Sequence, residues 1–253
     1  MPTTRKKKNG NGNGSTSSRV MKRKKPINTE MMVDIQPLTD NQKRLFDEYK
    51  SGKNIFAYGC AGTGKTFVTL YNAIKDVLDP TTPYEKVYIV RSLVATREIG
   101  FLPGDHEDKS YLYQIPYQNM VKYMFKLSTN EQFDMLYGNL KGQNTLDFLS
   151  TSFIRGTTFD NSILLVDECQ NLNFHELDSI VTRVGDNTKI IFSGDHVQTD
   201  LTKVHEKNGI IDFMKIIEVM PDDFAMIGFE IGDIVRSGLV LSLIHISEPT
   251  RPY

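Results

Sequence analysis

The sequence predicts an α/β fold, with a mostly parallel sheet covered by helices on both faces. Short apolar runs typical of buried strands recur along the chain: NIFAYG, KVYIV, SILLVD, TKIIF and FAMIGFE. Helical patterns such as FHELDSIVTRVG separate most of these runs, and alternation of this kind indicates a parallel sheet. In addition, a glycine-rich motif follows the first run directly and leads into the helical pattern TFVTLYNAIKDVL.

The charge of the chain is unevenly distributed. Residues 1–25 carry nine of the 30 Lys and Arg residues and none of the 31 Asp and Glu residues, so the remaining body has a net charge of −10. We predict that residues 1–34 form a disordered basic arm, because they hold too little apolar surface to fold. The arm could bind nucleic acid through its phosphates, or it could only keep the protein soluble.

Composition also predicts where the protein works. No window approaches the roughly 18 apolar residues of a membrane span, and no apolar signal-peptide core follows the basic start. Only two cysteines occur, Cys60 and Cys169, so a disulfide framework is not expected. We therefore predict a cytoplasmic protein with no membrane partner.

Ordered structure is expected to begin near Ile35, with a helix in PLTDNQKRLFDEYKSG. Thr39 is the predicted N-cap, Gln42 stands three places later as in a capping box, and Gly52 ends the helix. Gln42 could also read the adenine edge of a nucleotide. Both roles remain open.

The glycine-rich motif fits G-x-x-x-x-G-K-[ST] at every fixed position. Such a loop wraps a phosphate with inward-pointing backbone N–H groups, and the following helix directs its positive end at the same anion. Lys65 is expected to reach the β and γ phosphates of a nucleotide, taken to be ATP although GTP remains open, and the Thr66 hydroxyl to bind Mg²⁺. The predicted nucleotide-binding residues are Gly59, Cys60, Ala61, Gly62, Thr63, Gly64, Lys65 and Thr66.

Two further strand ends carry polar residues that suit a phosphate site. Asp167 and Glu168 follow the run SILLV, where Asp167 would hold Mg²⁺ and Glu168 would orient the attacking water. Asp195 and Gln198 follow the next strand, and Gln198 could sense a γ-phosphate or could simply be a turn residue. Ligands in open α/β sheets bind at this carboxyl edge.

Two segments fall outside the regular alternation. Residues 105–160 are rich in Tyr, Phe and Met and are interpreted as an insertion with its own helices, inside a P-loop domain of residues 35–240. Residues 241–253, LSLIHISEPTRPY, resemble the translation of a sequencing adapter. We exclude them from fold reasoning and expect the natural protein to continue beyond Val240.

Six motifs in order resemble the PhoH-like proteins, which are P-loop ATPases with a helicase-type RecA-like domain. They are GCAGTGKT, VRSLVATREIGFLPGD, FIRGTTF, LLVDECQN, SGDHVQTDL and DIVRSGLV, and the resemblance spans about residues 36–240. The compact form with a short basic arm is similar to phage members, which would place the protein in the host cytoplasm. The family more often has Ala at the position of Cys169.

The resemblance implies roles for individual residues. Lys65, Glu168, Gln198 and Arg236 would be catalytic, with Gln198 as the γ-phosphate sensor and Arg236 as an arginine finger. A single RecA-like domain would have to receive that finger from a neighbouring subunit, so a homo-oligomer is expected, with a hexameric ring as one form. The stretches that contain Arg91, Phe101 and Arg155 would approach nucleic acid or the nucleotide.

These expectations leave more than one function open. The first is a Mg²⁺-dependent ATPase coupled to remodelling of RNA or single-stranded DNA. The second is a nucleotide-dependent switch or assembly protein with slow hydrolysis and a protein partner. A small-molecule kinase is a weaker third, because residues 105–160 hold few of the arginines that an acceptor-covering lid uses.

Overall fold

The computed structural model of the protein describes residues 27–92, 106–195 and 209–235. In these residues six strands pair into one sheet in the order β3-β2-β4-β5-β1-β6. Every pairing is parallel. The strands are β1 (Asn54–Gly59), β2 (Lys86–Arg91), β3 (Leu146–Ser150), β4 (Ser162–Asp167), β5 (Lys189–Gly194) and β6 (Phe224–Phe229).

The parallel sheet confirms the predicted α/β class, and all five predicted strands are present. β3 was not predicted. It is a five-residue edge strand, LDFLS, in which three of the residues are only half-buried, so its apolar signal is weak. Because β3 pairs with β2, the last part of the segment interpreted as an insertion belongs to the central sheet.

Helices cover both faces of the sheet, as predicted. Two separate apolar cores lie on the two faces, one packed under α1 to α4 and the other under α5 and α6. None of the helices in the described ranges is long and apolar enough to cross a membrane. The helices are α1 (Asp40–Lys50), α2 (Lys65–Val77), α3 (His106–Met124), α4 (Asn130–Gly142), α5 (Phe174–Val181) and α6 (Gly209–Glu218).

Side chains of strand β4 pack into both cores. Ile163 and Leu165 pack on the side of α1 to α4, whereas Leu164 and Val166 pack on the side of α5 and α6. All six residues of β4 are buried, because successive side chains of a strand point to opposite faces and both faces are covered. The continuous apolar run in the sequence is therefore explained by burial on two sides.

Helix α1 begins as predicted at Thr39, whose hydroxyl accepts a hydrogen bond from the Gln42 backbone N–H. The capping box is only half formed, however. The Gln42 side-chain oxygen accepts from the backbone N–H of Leu38 at 2.8 Å rather than from that of Thr39. The amide of Gln42 is consequently turned toward the glycine-rich loop.

Order begins earlier than the predicted boundary at Ile35. Met32 is buried and forms a β-bridge with Phe125 at the end of α3, and the Val33 N–H donates to the Met124 carbonyl at 2.8 Å. Residues 29–33 are thus packed against the domain, and the predicted arm is too long at this end. Residues 1–26 and the tail 241–253 lie outside the described residues.

A buried cluster of charged and aromatic groups lies at the amino ends of the strands, opposite the glycine-rich loop. Lys189, the first residue of β5, is 4% exposed. Its ammonium group donates to the Tyr49 carbonyl at 2.7 Å and lies 3.9 Å from the centroid of the Tyr49 ring. The Tyr49 hydroxyl donates to the Asp76 carboxylate at 2.9 Å. This cluster ties α1, α2 and β5 together.

Asp76 makes the stability of this cluster depend on pH. Burial raises the pKa of Asp76, and the Tyr49 hydrogen bond and the Lys189 charge offset this only in part. The contribution of Asp76 to stability is therefore present below the ordinary aspartate pKa, about 3.9, and is lost as the pH rises through the higher folded pKa. In urea titrations at several pH values, we expect the wild type to lose stability relative to Asp76→Asn as the pH rises toward neutral.

Asp79→Asn is the matched control, because the stability of the wild type relative to this variant should change with pH in the opposite direction. Hydrogen bonds from the Thr81 hydroxyl and N–H lower the pKa of Asp79, so its contribution is present above the ordinary pKa and is lost as the pH falls. A difference between wild type and Asp76→Asn that does not vary with pH would contradict the assignment.

Candidate functional site

The glycine-rich loop, residues 59–66, connects β1 to α2. Gly59 has a φ of 114°, and a Cβ there would overlap the Phe229 backbone. Gly64 has a φ of 83°, and a Cβ there would lie 3.0 Å from the side-chain nitrogen of Gln42. Only glycine fits these two positions without strain, so the loop keeps the tight path that the motif predicts.

Lys65 lies at the centre of the loop. It is 7% exposed, and its ammonium group donates to the carbonyls of Gly59 at 2.8 Å and Cys60 at 2.7 Å. Burial lowers the pKa of Lys65, while the negative charges of Asp195 and Asp167 act in the opposite direction. The ammonium group thus replaces its lost hydration with backbone carbonyls and nearby carboxylates.

Three oxygen-bearing side chains meet beside the loop. The Thr66 hydroxyl donates to Asp167 Oδ1 at 2.7 Å, and Ser193 Oγ lies 3.2 Å from Thr66 Oγ1. Asp167 and Ser193 are direct neighbours in the parallel pairing of β4 and β5. Carboxylate and hydroxyl oxygens are ligands that Mg²⁺ accepts when phosphates and water complete its shell, so these residues fit the predicted ion.

Within the described ranges, no group of three or more His, Cys, Asp and Glu residues forms a metal cage. Mg²⁺ is usually held by one or two carboxylates together with substrate phosphates, so such a cage is not required here.

Glu168 follows Asp167 in an unusual backbone conformation. Its φ of 52° and ψ of 41° are left-handed, which costs a non-glycine residue of order 1–3 kcal/mol and tends to occur at functional sites. Burial raises the pKa of the Glu168 carboxyl, and the charge of Asp167 raises it further.

Gln170 links Glu168 to the next strand. Its side-chain nitrogen donates to Glu168 Oε2 at 2.6 Å, and its side-chain oxygen accepts from the Asp195 backbone N–H at 3.1 Å. Gln170 is 4% exposed. The carboxylate of Glu168 is thereby held in one orientation relative to the end of β5.

Three residues of the site were not singled out from the sequence. Gln170 and Ser193 lie within quoted motifs, and their position at or just past a strand end was a usable signal. Tyr117 comes from the middle of α3, where no motif marks it, and its hydroxyl donates to Asp167 Oδ2 at 2.6 Å. The contact depends on how α3 packs over the sheet.

These residues line a cavity of about 620 Å³ at the carboxyl edge of the sheet, within the usual size range of ligand sites. The loop and the ends of β4 and β5 form its polar part. Its other walls are mainly apolar and include Ile35, Leu38, Phe67, Met120 and Val235. Polar and apolar walls thus line one cavity.

Gln42 also lines this cavity. It is 3% exposed, and its side-chain nitrogen donates to the Thr63 carbonyl at 2.9 Å. One amide N–H and one lone pair remain beyond its bonds to Thr63 and Leu38. The predicted contact with adenine stays a prediction.

Arg91 ends β2 and lines the cavity. Its guanidinium group lies 5.4 Å from the centroid of the Tyr113 ring. Burial opposes its charge, but the negative charges of Glu168 and Asp167 and a hydrogen bond with Tyr117 outweigh burial and raise the pKa of Arg91. Arg91 is therefore a fixed positive charge facing the acidic pair.

The remaining predicted residues are not part of the described site. Arg155 is exposed and does not line the cavity. Gln198, Arg236 and Phe101 lie outside the described residues.

Comparison with known proteins agrees with this geometry. The family described as PhoH-like protein matches residues 34–248, a range that extends past Val240, the predicted end of the domain. The chain belongs to the PhoH-like protein family. The resemblance inferred from the six motifs is confirmed.

Individual members of the PhoH-like family match at moderate identity. The PhoH-like protein of Mycobacterium leprae is 28% identical over 211 residues, which cover 83% of this chain and 57% of that protein. The PhoH-like protein of Bacillus subtilis is 28% identical over 212 residues, 83% and 63% of the two chains. Protein PhoH of Escherichia coli is 27% identical over 197 residues, 78% and 53% of the two chains. The chain spans little more than half the length of these relatives.

Solved structures match more distantly. Unliganded Pif1 from Bacteroides matches with a TM-score of 0.40 and 15% identity, covering 84% of this chain and 46% of that one. The Sulfolobus solfataricus SWI2/SNF2 ATPase core in complex with double-stranded DNA matches with a TM-score of 0.40 and 13% identity, covering 76% and 45%.

The bridge through Gln170 can be tested at Gly194. A Cβ at Gly194 would lie 2.5 Å from the Gln170 side-chain oxygen and 2.7 Å from Cys169 Sγ, both on buried residues. We expect Gly194→Ala to lower the free energy of unfolding by about 1–3 kcal/mol through overpacking, measured by urea denaturation.

Gly138→Ala is the matched control, because a Cβ there meets nothing within 4 Å and the residue lies inside α4. This change should leave stability unchanged or raise it by up to about 1 kcal/mol. Equal stability of the two variants would show that Gln170 is not tightly held against Gly194.

Proposed function

We propose that this chain hydrolyses ATP with Mg²⁺ and couples the reaction to the remodelling of RNA or single-stranded DNA. The observation that carries the hydrolytic part is the convergence of Lys65, Thr66, Asp167 and Glu168 on one cavity. These residues come from two places about 100 positions apart in the chain, since Thr66 and Asp167 are 101 residues apart. The family membership supports the same reaction class.

Phosphate binding begins with the loop and Lys65. The ammonium group of Lys65 is already at the loop centre, where it bonds the carbonyls of Gly59 and Cys60. A triphosphate in the cavity would offer the ammonium group anionic oxygens, which form stronger hydrogen bonds than neutral carbonyls. The N-terminus of α2, which starts at Lys65, adds its positive end to the same anion.

Thr66, Asp167 and Ser193 are the residues that would hold Mg²⁺. When bound, the ion would neutralise charge that develops on the phosphate oxygens. The contribution of the chain is positional. Its strands hold the Asp167 carboxylate and the Ser193 hydroxyl against the first turn of α2.

Glu168 is the candidate for orienting the attacking water. Its carboxylate lines the cavity, and Gln170 fixes one of its oxygens at 2.6 Å. An ionised carboxylate can accept a hydrogen bond from water and align it for attack. Burial and the charge of Asp167 raise the pKa of Glu168, and the Gln170 hydrogen bond and the Arg91 charge offset this only in part.

The coupling to nucleic acid is proposed from the charge of the N-terminal arm and the helicase-type motifs. The basic arm offers a footprint for phosphates, and helicase-type relatives of the fold motivate the proposal. Arg236 is proposed to act from a neighbouring subunit in a head-to-tail assembly, since a cation at the transferring phosphoryl group can accelerate the reaction by roughly 10³–10⁵.

The variant Glu168→Gln tests the hydrolytic role. The amide keeps the size of the side chain but cannot accept a proton, so we expect nucleotide binding to persist and turnover to fall by roughly 10²–10⁴. Binding is measured with a fluorescent ATP analogue and turnover by steady-state phosphate release. Glu218→Gln makes the same chemical change at an exposed residue of α6 and should match the wild type, whereas wild-type turnover in Glu168→Gln would remove Glu168 from the mechanism.

The coupling is tested by adding single-stranded RNA or DNA to the full chain. We expect either or both to raise turnover several-fold at low salt. Replacing the nine Lys and Arg residues of 1–25 by Gln should increase the concentration of nucleic acid required and flatten its salt dependence. Turnover that does not respond to nucleic acid would instead favour a nucleotide-dependent switch.

A further inference from the structure

Tyr117 reaches the metal corner of the site from a helix that no motif connects with it. It is 1% exposed, and its hydroxyl donates to Asp167 Oδ2 at 2.6 Å. The other oxygen, Oδ1, accepts from the Thr66 hydroxyl at 2.7 Å. The two oxygens of one carboxylate are therefore held by two different helices, and rotation of the carboxylate breaks at least one of these bonds.

The chemistry of this pair makes Tyr117 a stable donor. The ordinary pKa of a tyrosine phenol is about 10, so the Tyr117 hydroxyl carries its proton at neutral pH and can donate it to the carboxylate. A short hydrogen bond from a neutral hydroxyl to a carboxylate is roughly twice as strong as one between neutral groups.

Tyr117 is also held firmly from behind. Its ring packs against Phe148 of β3 with centroids 5.5 Å apart. On the same helix, Val121 and Met124 are fully buried in the core under α1 to α4. The position of the hydroxyl is thus set by the packing of α3 on the sheet, and Asp167 takes its orientation from that packing.

We propose that Tyr117 is a positioning residue for the metal-holding carboxylate of Asp167. The inference rests on the proposed function, because the role of Asp167 toward Mg²⁺ belongs to it. With Oδ2 fixed by Tyr117, Oδ1 remains directed at the Thr66 hydroxyl, which lies 3.2 Å from Ser193 Oγ. Mg²⁺ demands near-octahedral geometry, and loss of a residue that orients a ligand typically costs 10–100-fold in metal affinity.

The contact between Tyr117 and Asp167 could instead block metal binding, and the two interpretations predict opposite changes in metal affinity when the hydroxyl is removed. If the Tyr117 hydroxyl blocked the carboxylate, it would have to leave before the ion could bind. Removing the hydroxyl would then strengthen metal binding. The direction of the change in affinity therefore separates positioning from blocking.

The test is Tyr117→Phe, which keeps the ring and removes only the hydroxyl. Mn²⁺ binding to the full chain with saturating ADP is followed by electron paramagnetic resonance, and the Mg²⁺ concentration for half-maximal binding of a fluorescent ADP analogue is measured in parallel. In Tyr117→Phe we expect the dissociation constant for Mn²⁺ and the half-maximal Mg²⁺ concentration each to rise by about 10-fold or more. The affinity for nucleotide in EDTA should be unchanged. Turnover at saturating Mg²⁺ should return close to wild type.

Tyr123→Phe is the control, since it removes a hydroxyl from the same helix at a residue that is 76% exposed. It should leave metal binding unchanged. If Tyr117→Phe does not fold, as judged by circular dichroism, Phe148→Leu is used instead. This change weakens the packing of the Tyr117 ring and leaves the Tyr117 hydroxyl in place. That variant should also raise the metal requirement.

The possible results are separable. A wild type that binds neither nucleotide nor Mn²⁺ overturns both the proposed function and this inference. The inference alone is overturned if the wild type binds nucleotide in a metal-dependent way and Tyr117→Phe binds the metal as tightly as the wild type or more tightly.

Discussion

The parallel pairing of β1, β5 and β4 is the constraint on which the site depends. β5 lies between the strand that leads into the glycine-rich loop and the strand that ends at Asp167. Neighbouring strands lie about 4.8 Å apart, so the two outer strands are separated by roughly 10 Å. The first turn of α2 fills that distance, and the 2.7 Å hydrogen bond between Thr66 and Asp167 closes it. A one-strand change in sheet order would separate the loop from the acid.

Two charged groups at the centre of the site are hydrogen-bonded within the protein itself. The ammonium group of Lys65 bonds loop carbonyls, and the carboxylate of Asp167 bonds two hydroxyls. Buried charges are costly unless they are paired or hydrogen-bonded, so these bonds keep the cavity stable. A ligand gains affinity only to the extent that its own bonds exceed those it replaces, which favours a multiply charged anion over a neutral molecule.

Helix α3 connects the site to the outer part of the molecule. Pro116 stands inside this helix, directly before Tyr117, and proline in a helix removes a backbone hydrogen bond and kinks the helix. The contact with Asp167 therefore lies next to a residue that has no backbone N–H to donate within the helix. Arg91 stacks on Tyr113 one turn earlier, so two aromatic residues of α3 face the charged groups of the cavity.

Much of the architecture could be predicted because it depends on local patterns. Strands β4 and β5 are continuous apolar runs that are buried on both faces, and the Thr39 cap and the glycine-rich loop have their own local signals. The short edge strand β3 escaped prediction, because edge strands carry mixed polarity and their pairing partner is distant in sequence. The ordered residues before Ile35 were not predicted for a similar reason, since their order depends on contacts of Met32 and Val33 with the end of α3.

The sequence by itself determined the glycine-rich loop and the acidic pair at the end of β4, because fixed spacing and backbone conformation are local properties. Tertiary structure decided the partners of these residues. Three contacts follow from the packing of distant segments. Ser193 lies beside Thr66, Gln170 bridges Glu168 to β5, and Tyr117 donates to Asp167. Contacts across such separations depend on sheet order and helix placement, which short-range patterns do not encode.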